Sequence, residues 1–335
     1  MKNQLVSLTE HSTAKPSKND RSLLWILVNK EIASFIRSWR FIVMALLIIL
    51  TFMASMYVSM SNIKGLSVAT NDPASNFIYL KLLTATDQSI PPFHVFLNFL
   101  APLLGIGLGF DAINTEKNTG TLTRLLAQPI YRDNLLIGKF LAPLLLVGVF
   151  FAALTLLMIG AGIWLTGVAM EPQELFRLIG FIGISILYVG FWLSLSILLS
   201  VLFTQPSTAA ITAFGIWLFF TIFFPILINL LVRSILPHPQ SLSETQYIAY
   251  NELILSLHRI SPGQLYSDAT TTLLMPSVRS LGPISMEQTL GALPSNLRFS
   301  DSLMMVWPQI TGLIAATALC FSLSYYLFMR KEIRS

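Results

Sequence analysis

The sequence predicts an all-α integral membrane protein with six transmembrane helices, preceded by an amphipathic helix at the membrane surface. Hydrophobic residues make up 54% of the 335-residue chain and charged residues only 11%, whereas a soluble domain carries about 25% charged residues. Uncharged runs recur at close to the ~20 residues that a helix needs to cross a bilayer. Because so few charges could not cover the surface of a soluble core, the composition excludes an ordinary soluble domain.

Six uncharged stretches qualify as spans. They are 41–60, 95–110, 140–170, the two halves of 178–232, and 302–329. The stretch 178–232 is too long for one span, and the polar, proline-containing sequence TQPST at 204–208 divides it into two. The second span is short, and we expect Pro91, Pro92 and Pro102 to bend its start.

The placement of basic residues predicts the orientation. With the N-terminus inside, the predicted cytosolic segments hold 14 of the 21 Lys and Arg residues, and such an excess marks the cytosolic side of a membrane protein. We therefore predict a multi-pass protein of the plasma (inner) membrane with both termini in the cytosol. The net charge of +5 then reflects orientation and not nucleic-acid binding. Residues 1–20 lack an apolar core, so they are expected to form a cytosolic tail and not a signal peptide.

A surface helix is predicted at 21–40, before the first span. Its apolar residues recur at steps of three and four and share one face: Trp25, Val28, Ile32, Phe35 and Trp39. Lys30, Ser34 and Arg37 fall on the other face. This pattern is typical of an interfacial helix that lies against lipid head groups.

The predicted spans carry little that could do chemistry. No Asp, Glu, Lys, Arg or His lies at the middle of any span, so a membrane-embedded enzyme or an ion-coupled carrier gains no support. The four histidines do not have metal-ligand spacing, and no metal or cofactor site is predicted. The chain also lacks a G-x-x-x-x-G-K-[ST] phosphate loop, so any energy from ATP would have to come through another polypeptide.

One polar segment, 111–139, interrupts the apolar sequence between spans two and three. Leu122, Leu125 and Leu126 form a short apolar stripe, with Gly120 before it and Pro129 after it. The pattern predicts about two turns of helix, too short to be stable alone. Glu116, Lys117 and Arg124 place charges beside the stripe, as a protein-docking surface would.

The motif in this segment is more specific. EKNTGTL at 116–122, LLAQPI at 125–130, Arg132 and GK at 138–139 resemble the membrane subunit of type 2 ATP-binding-cassette exporters. The resemblance implies that 114–132 is a coupling helix docked on a cytosolic ATPase subunit, which would bind ATP and Mg²⁺. It also implies that 21–40 is an elbow helix and that two permease copies assemble as a homo- or heterodimer. The implied docking residues are Glu116, Gly120, Thr121, Leu122, Arg124, Leu125, Leu126, Pro129 and Arg132.

The segment 233–301 is predicted to be extracytoplasmic and partly helical, followed by span six and a cytosolic end in 302–335. Ile248, Leu253, Ile254, Leu257 and Ile260 fit an amphipathic helix that Pro262 ends. SPGQLY at 261–266 resembles a motif of the branch with gliding-motility and copper-site maturation permeases. This region and 62–92 could form a lid or bind an extracytoplasmic partner. A carrier or channel that works without ATP remains the alternative, and the substrate class stays open.

Overall fold

The structure, a computed structural model, describes residues 18–66, 77–85, 90–121, 132–235, 244–276 and 297–330. These residues form helices joined by short turns, and none of them lies in a β-strand. Six helical segments are long and apolar enough to cross a membrane. The predicted all-helical class and the number of spans are therefore confirmed.

The helices follow one another along the chain with short connections. The first half contains α1 (Lys18–Ile36), α2 (Trp39–Leu66), α3 (Ile78–Thr84), α4 (Phe93–Gly109), α5 (Asn114–Asn118) and α6 (Arg132–Thr166). The second half contains α7 (Pro172–Leu202), α8 (Pro206–Leu218), a π-helix (Phe219–Phe223), α9 (Phe224–Ile235), α10 (Glu244–His258), α11 (Pro262–Leu274) and α12 (Phe299–Arg330). The candidate spans are α2, α4 continued through α5, α6, α7, the α8–α9 run, and α12.

Prolines mark several helix starts. Pro172, Pro206 and Pro262 each stand in the first turn of a helix. Backbone N–H groups in the first turn make no intrahelical hydrogen bond, so proline, which has no N–H, costs nothing there. The predicted break at 204–208 is confirmed, because α7 ends at Leu202 and α8 begins at Pro206. Pro92 precedes α4 and does not bend it, while Pro102 lies inside that helix. Pro262 likewise begins α11 after α10 has ended.

Helix α7 is the centre of the bundle and packs against α4, α6, α8, α11 and α12. Two glycines of α4 bring its backbone against α7. A Cβ atom at Gly105 would lie 2.8 Å from the carbonyl oxygen of Val189, and one at Gly109 would lie 2.9 Å from Cβ of Ser196. This glycine pair, spaced as in small-x-x-x-small packing motifs, therefore holds α4 and α7 in direct contact.

The bundle has two distinct ends. At the α5 end, α4 and α7 finish while α2, α6 and α8 begin; at the α11 end lie α3 and α11. Helix α11 packs between α7 and α12, with Tyr266, Ala269 and Leu273 fully buried. Tyr266 stacks on Tyr188 of α7 with ring centroids 4.5 Å apart, and burial raises the pKa of the Tyr266 phenol, which stays protonated.

Candidate functional site

The α5 end contains a polar assembly built around the start of the segment that carries the sequence motif. Helix α5 has only five residues, too few to be stable without contacts to the rest of the protein. Its position is set by side chains from three other helices, α1, α6 and α7. These contacts decide which parts of the bundle must move when α5 moves.

Ser200 of α7 binds the first turn of α5. Its Oγ accepts hydrogen bonds from the backbone N–H groups of Ile113 (3.0 Å) and Asn114 (3.2 Å). The first N–H groups of a helix have no intrahelical acceptor and normally need a capping side chain from the same chain segment. Here that acceptor is a side chain on a different helix, so the start of α5 is attached to the end of α7.

The last turn of α5 is attached to the same region. Asn118 Nδ2 donates a hydrogen bond to the carbonyl oxygen of Thr204, at 2.9 Å, in the turn between α7 and α8. Both ends of α5 are thus bonded to residues at or just beyond the end of α7. The turn at 204–205 therefore contributes to the site together with Ser200.

A buried ion-pair cluster joins α5 to α1 and α6. Lys139 Nζ of α6 lies 2.7 Å from Glu116 Oε1 of α5 and 3.6 Å from Glu31 Oε1 of α1. The Lys139 side chain is only 6% exposed, and the two carboxylates are 11% and 16% exposed. At such burial the two acidic groups depend on the lysine, because leaving one partner of a buried pair unmatched costs about 3–5 kcal/mol.

A second ion pair at this end is more exposed. Arg40, near the start of α2, lies 2.6 Å from Asp111 just after α4, and its side chain is 52% exposed. The Arg40 guanidinium also lies over the Phe110 ring, 4.8 Å from the ring centroid. Water screens a pair this exposed, so it fixes the relative position of α2 and α4 with less energy than the Lys139 cluster.

The turn after α5 explains two positions of the motif. Gly120 has a φ of 68°, in the left-handed region that glycine occupies without the steric cost of a Cβ atom. The Thr121 hydroxyl donates to the carbonyl oxygen of Glu116 at 3.2 Å, which satisfies an acceptor that the short helix leaves free. Gly-Thr therefore ends α5 and directs the chain away from it.

Only part of the predicted docking set lies among the described residues. Glu116, Gly120, Thr121 and Arg132 lie in described segments on either side of the gap at 122–131. The other predicted docking residues lie outside the described residues: Leu122, Arg124, Leu125, Leu126 and Pro129. Their packing and the predicted two-turn helix stay predictions.

The surface-helix residues divide between two environments. Val28 is buried, and Ile32 and Phe35 pack against the core, where α1 lies along α6. Trp25 and Trp39 are exposed, and Trp39 is the first residue of α2, after a break that Ser38 caps through its Oγ. The exposed tryptophans are consistent with the predicted lipid contact, which stays a prediction.

Sequence reasoning missed Glu31 and Ser200 as site residues and assigned Lys139 only a place in the motif. Glu31 did carry a signal, since it follows Val28 by three positions on the apolar side of α1, where a carboxylate needs a buried partner. Ser200 lies in an apolar run with other serines, and nothing in that run singles it out. Among the described residues, no group of three or more His, Cys, Asp and Glu side chains has the geometry of a metal site.

Comparison with known proteins gives one family and two relatives. The family described as "ABC-2 family transporter protein" matches residues 25–333. The probable ABC transporter permease protein NosY of Pseudomonas aeruginosa is 38% identical over 142 residues, which cover 41% of this chain and 50% of that protein. The protein of the same name from Stutzerimonas stutzeri is 35% identical over 144 residues, again 41% and 50%. The chain thus spans about half the length of the curated relatives it matches.

Proposed function

The chain belongs to the ABC-2 family of transporter proteins, as a membrane permease subunit and not a catalytic one, and on that premise we propose that it is half of an ATP-driven exporter whose driving force enters at the α5 end. One observation carries this proposal. Helix α5, which begins the segment with the family motif, is bonded to α1 and α6 through Lys139 and to α7 through Ser200. A force on α5 would therefore be passed directly to α6 and α7 and, through Lys139, to α1.

The ATPase would dock on the segment 114–132. Helix α5 forms the start of this segment and its last residue, Arg132, begins α6, so a partner bound to this segment acts on both of the flanking spans. The leucine stripe supplies the apolar contact that such docking needs, with charged side chains at its rim. ATP and Mg²⁺ would be bound by that partner subunit, which contributes the phosphate loop that this chain lacks.

The orientation follows from the charges. We place both termini, α1 and α5 on the cytosolic side of the plasma (inner) membrane, because 14 of the 21 Lys and Arg residues fall there. Helix α1 would be the elbow helix, with Trp25 and Trp39 among lipid head groups. Single-cysteine labelling in a Cys320→Ser background tests this arrangement. Asn118→Cys should react only from the cytosolic side and Ser285→Cys only from outside, and the reverse result would overturn the topology.

We further propose that two copies, as a homo- or heterodimer, enclose the translocation path. The fifth span, α8 through α9, is the least buried of the six candidate spans. Its middle is the π-helix Phe219–Phe223, and Pro225 brings no N–H to the backbone bonding there. Irregular backbone at membrane depth is tolerated where protein covers it or where it lines a water-filled cavity. This supports a fifth span that faces the second copy and the path.

Two features support the branch of the family. SPGQLY at 261–266, which resembles a motif of gliding-motility and copper-site maturation permeases, forms the start of α11, and the two curated relatives are named probable ABC transporter permease protein NosY. We place the chain in that branch, with export as the direction of transport. An external partner would bind the part of the region 233–301 that does not pack against α7 and α12.

Purification of the tagged chain from its native membranes tests the function. We expect one protein with a G-x-x-x-x-G-K-[ST] loop to copurify in equal number with the permease, and the complex to hydrolyse ATP. A complex mass that fits two permeases with two ATPases supports the dimer. A chain that purifies intact and transports without any phosphate-loop protein would instead be the ATP-independent carrier or channel.

A further inference from the structure

The α11 end holds a second set of polar contacts that the proposed function does not use, and they converge on α7. Arg177 of α7 is fully buried. Its Nη1 donates to the carbonyl oxygen of Leu273 at 2.8 Å, and its Nη2 donates to that of Leu297 at 2.7 Å. Leu273 belongs to the last turn of α11, where carbonyl groups lack intrahelical donors and a cation is favoured.

Arg177 therefore binds both ends of one chain segment. Leu273 lies shortly before residues 277–296 and Leu297 directly after them, and the backbone N–H of Leu297 also donates to the carbonyl oxygen of Pro276 at 3.1 Å. Among the described residues, the ion pairs do not include Arg177. A buried guanidinium whose acceptors are neutral carbonyl groups is costly to keep unless those bonds are made. The contact thus holds α11 and the start of α12 on α7.

Glu174 lies one turn before Arg177 and holds a different element. Its Oε1 accepts a hydrogen bond from the backbone N–H of Tyr79, in the first turn of α3, at 2.9 Å. Its Oε2 accepts one from the N–H of Glu171 at 3.2 Å, which fixes the carboxylate at the start of α7. The Tyr79 ring fills the space over Gly162 of α6, where a Cβ atom would lie 2.6 Å from Cε1 of the ring. Helix α3 is thus attached to α7 and packed on α6.

Helix α7 connects these contacts to those at the α5 end without interruption. It runs from Pro172 to Leu202 as one α-helix, with proline only in its first turn, about 46 Å long at 1.5 Å per residue. It is the most buried of the six candidate spans. Glu174 and Arg177 stand near its first residue, and Ser200 stands near its last. A displacement at one end of such a helix reaches the other end with little loss by bending.

We propose that Glu174 and Arg177 form a latch, here called the α7 latch, that attaches α3, α11 and the start of α12 to α7 at the extracytoplasmic end. Through this latch, α7 transmits a displacement of α5 to those three elements. The latch itself follows from the contacts of this chain. Its role in transmission rests on the proposed function, since it requires an ATPase that moves α5. Arg177 and Glu174 are positioning residues in this proposal and contact no substrate.

The latch can be tested in the full-length chain without any ATPase. The reporter is Ser302→Cys in a Cys320→Ser background, because Ser302 is fully buried and its hydroxyl has no hydrogen-bond partner. The reporter lies in the first turn of α12, just after Leu297. We expect Arg177→Gln to raise the rate at which a membrane-impermeant maleimide labels this thiol at least tenfold. Arg298→Gln, which changes an exposed arginine beside Leu297, should leave the rate unchanged.

A further variant keeps this test decisive. Arg177→Lys retains the charge but has a single ammonium group for two separate carbonyl acceptors, so it should raise the labelling rate by a smaller factor. If Arg177→Gln does not accumulate in the membrane, Arg177→Lys alone is compared with Arg298→Gln. Labelling at the Arg298→Gln rate in the Arg177 variants would overturn the latch.

The transmission step is tested with the ATPase bound. In the unaltered complex and in Arg298→Gln, ATP should change the labelling rate of Ser302→Cys. In Arg177→Gln, ATP hydrolysis should continue while this ATP-dependent change disappears. A full ATP-dependent change in Arg177→Gln would overturn the transmission role and leave the proposed function intact. If no ATPase binds the unaltered chain, both the proposed function and the transmission role are wrong. The labelling rates measured without ATPase still show whether Arg177 holds the start of α12.

Discussion

The two ends of the bundle are held by different kinds of polar contact. At the α5 end the principal contacts between helices are ion pairs, Lys139 with Glu31 and Glu116, and Arg40 with Asp111. At the α11 end, Arg177 and Glu174 bind backbone carbonyl and N–H groups. The Arg40 pair is partly exposed, so Arg40 can exchange its partner for water. Lys139 at the α5 end and Arg177 at the α11 end are both buried, so each depends on the partners it has. The α5 end therefore combines a weak contact with a strong one, while α7 is held at the α11 end by buried charged groups bonded to backbone.

The α5 end is the one to which we assign ATPase docking, and the largest expected effect tests that assignment. Leu125→Asp should abolish transport and copurification of the ATPase while the permease inserts at normal abundance, because an unpaired carboxylate in an apolar contact costs several kcal/mol. Leu253→Asp, the same change at an exposed leucine of α10, is the matched control and should retain both. If the Leu125→Asp permease still binds its ATPase and transports, the ATPase does not dock on this segment.

The Lys139 cluster should contribute most of the stability among the ion pairs of the α5 end. Lys139→Met leaves Glu31 and Glu116 buried without their shared partner, and we expect a loss of about 3–5 kcal/mol in the free energy of unfolding. Lys30 also lies 3.6 Å from Glu31 but is 55% exposed, so Lys30→Met should cost under about 1 kcal/mol. Thermal unfolding of the purified variants measures both.

A double variant tests whether Lys139 and Glu116 interact directly. Adding Glu116→Gln to Lys139→Met removes one of the stranded carboxylates, so part of the lost stability should return. Such non-additivity is the signature of residues that interact directly. Equal losses for Lys139→Met and Lys30→Met, or strict additivity in the double variant, would contradict a cluster in which burial decides the energy.

The attachment of α5 to α7 should have an intermediate effect. Ser200→Ala removes the acceptor of two backbone N–H groups, which should lower stability by about 1–2 kcal/mol, as for the loss of a helix cap. Ser194→Ala is the control, since its hydroxyl donates to the carbonyl oxygen of Phe191 within α7. We also expect Ser200→Ala to weaken coupling, seen as more ATP hydrolysed per substrate exported. Identical behaviour of the two serine variants would show that α5 is held by the ion pairs alone.

The exposed ion pair should matter least. Arg40→Gln is expected to cost under about 1 kcal/mol, and the difference from the unaltered chain should shrink further at high salt, which screens exposed charges. Arg37→Gln, at an exposed site on the other side of the break between α1 and α2, serves as the control. A loss for Arg40→Gln as large as that for Lys139→Met would show that exposure does not rank the contacts at this end.

Much of the architecture was predictable because it depends on local properties of the sequence. The spans follow from runs of apolar residues, and the division of 178–232 follows from the polar, proline-containing TQPST. The family follows from the motif at 116–139 and is confirmed by the match over 25–333. The placement of α11 was not predictable. The region 233–301 was predicted to be extracytoplasmic and partly helical, and no contact with any span was predicted for it. In the structure α11 packs against α7 and α12, and its Thr270 and Thr272 are buried and donate to carbonyl oxygens of their own helix.

The sequence by itself determined the number of spans, the break between α7 and α8, and the segment that carries the family motif. Hydropathy, proline and charge act on a residue and its immediate neighbours, so the order of residues is enough to read them. Only the tertiary structure decided that Lys139 meets Glu31, that Ser200 caps α5, and that Arg177 binds the carbonyl groups of Leu273 and Leu297. Those pairings depend on how each helix is rotated and packed. Because every residue carries the same backbone carbonyl, a backbone acceptor leaves no mark in the sequence.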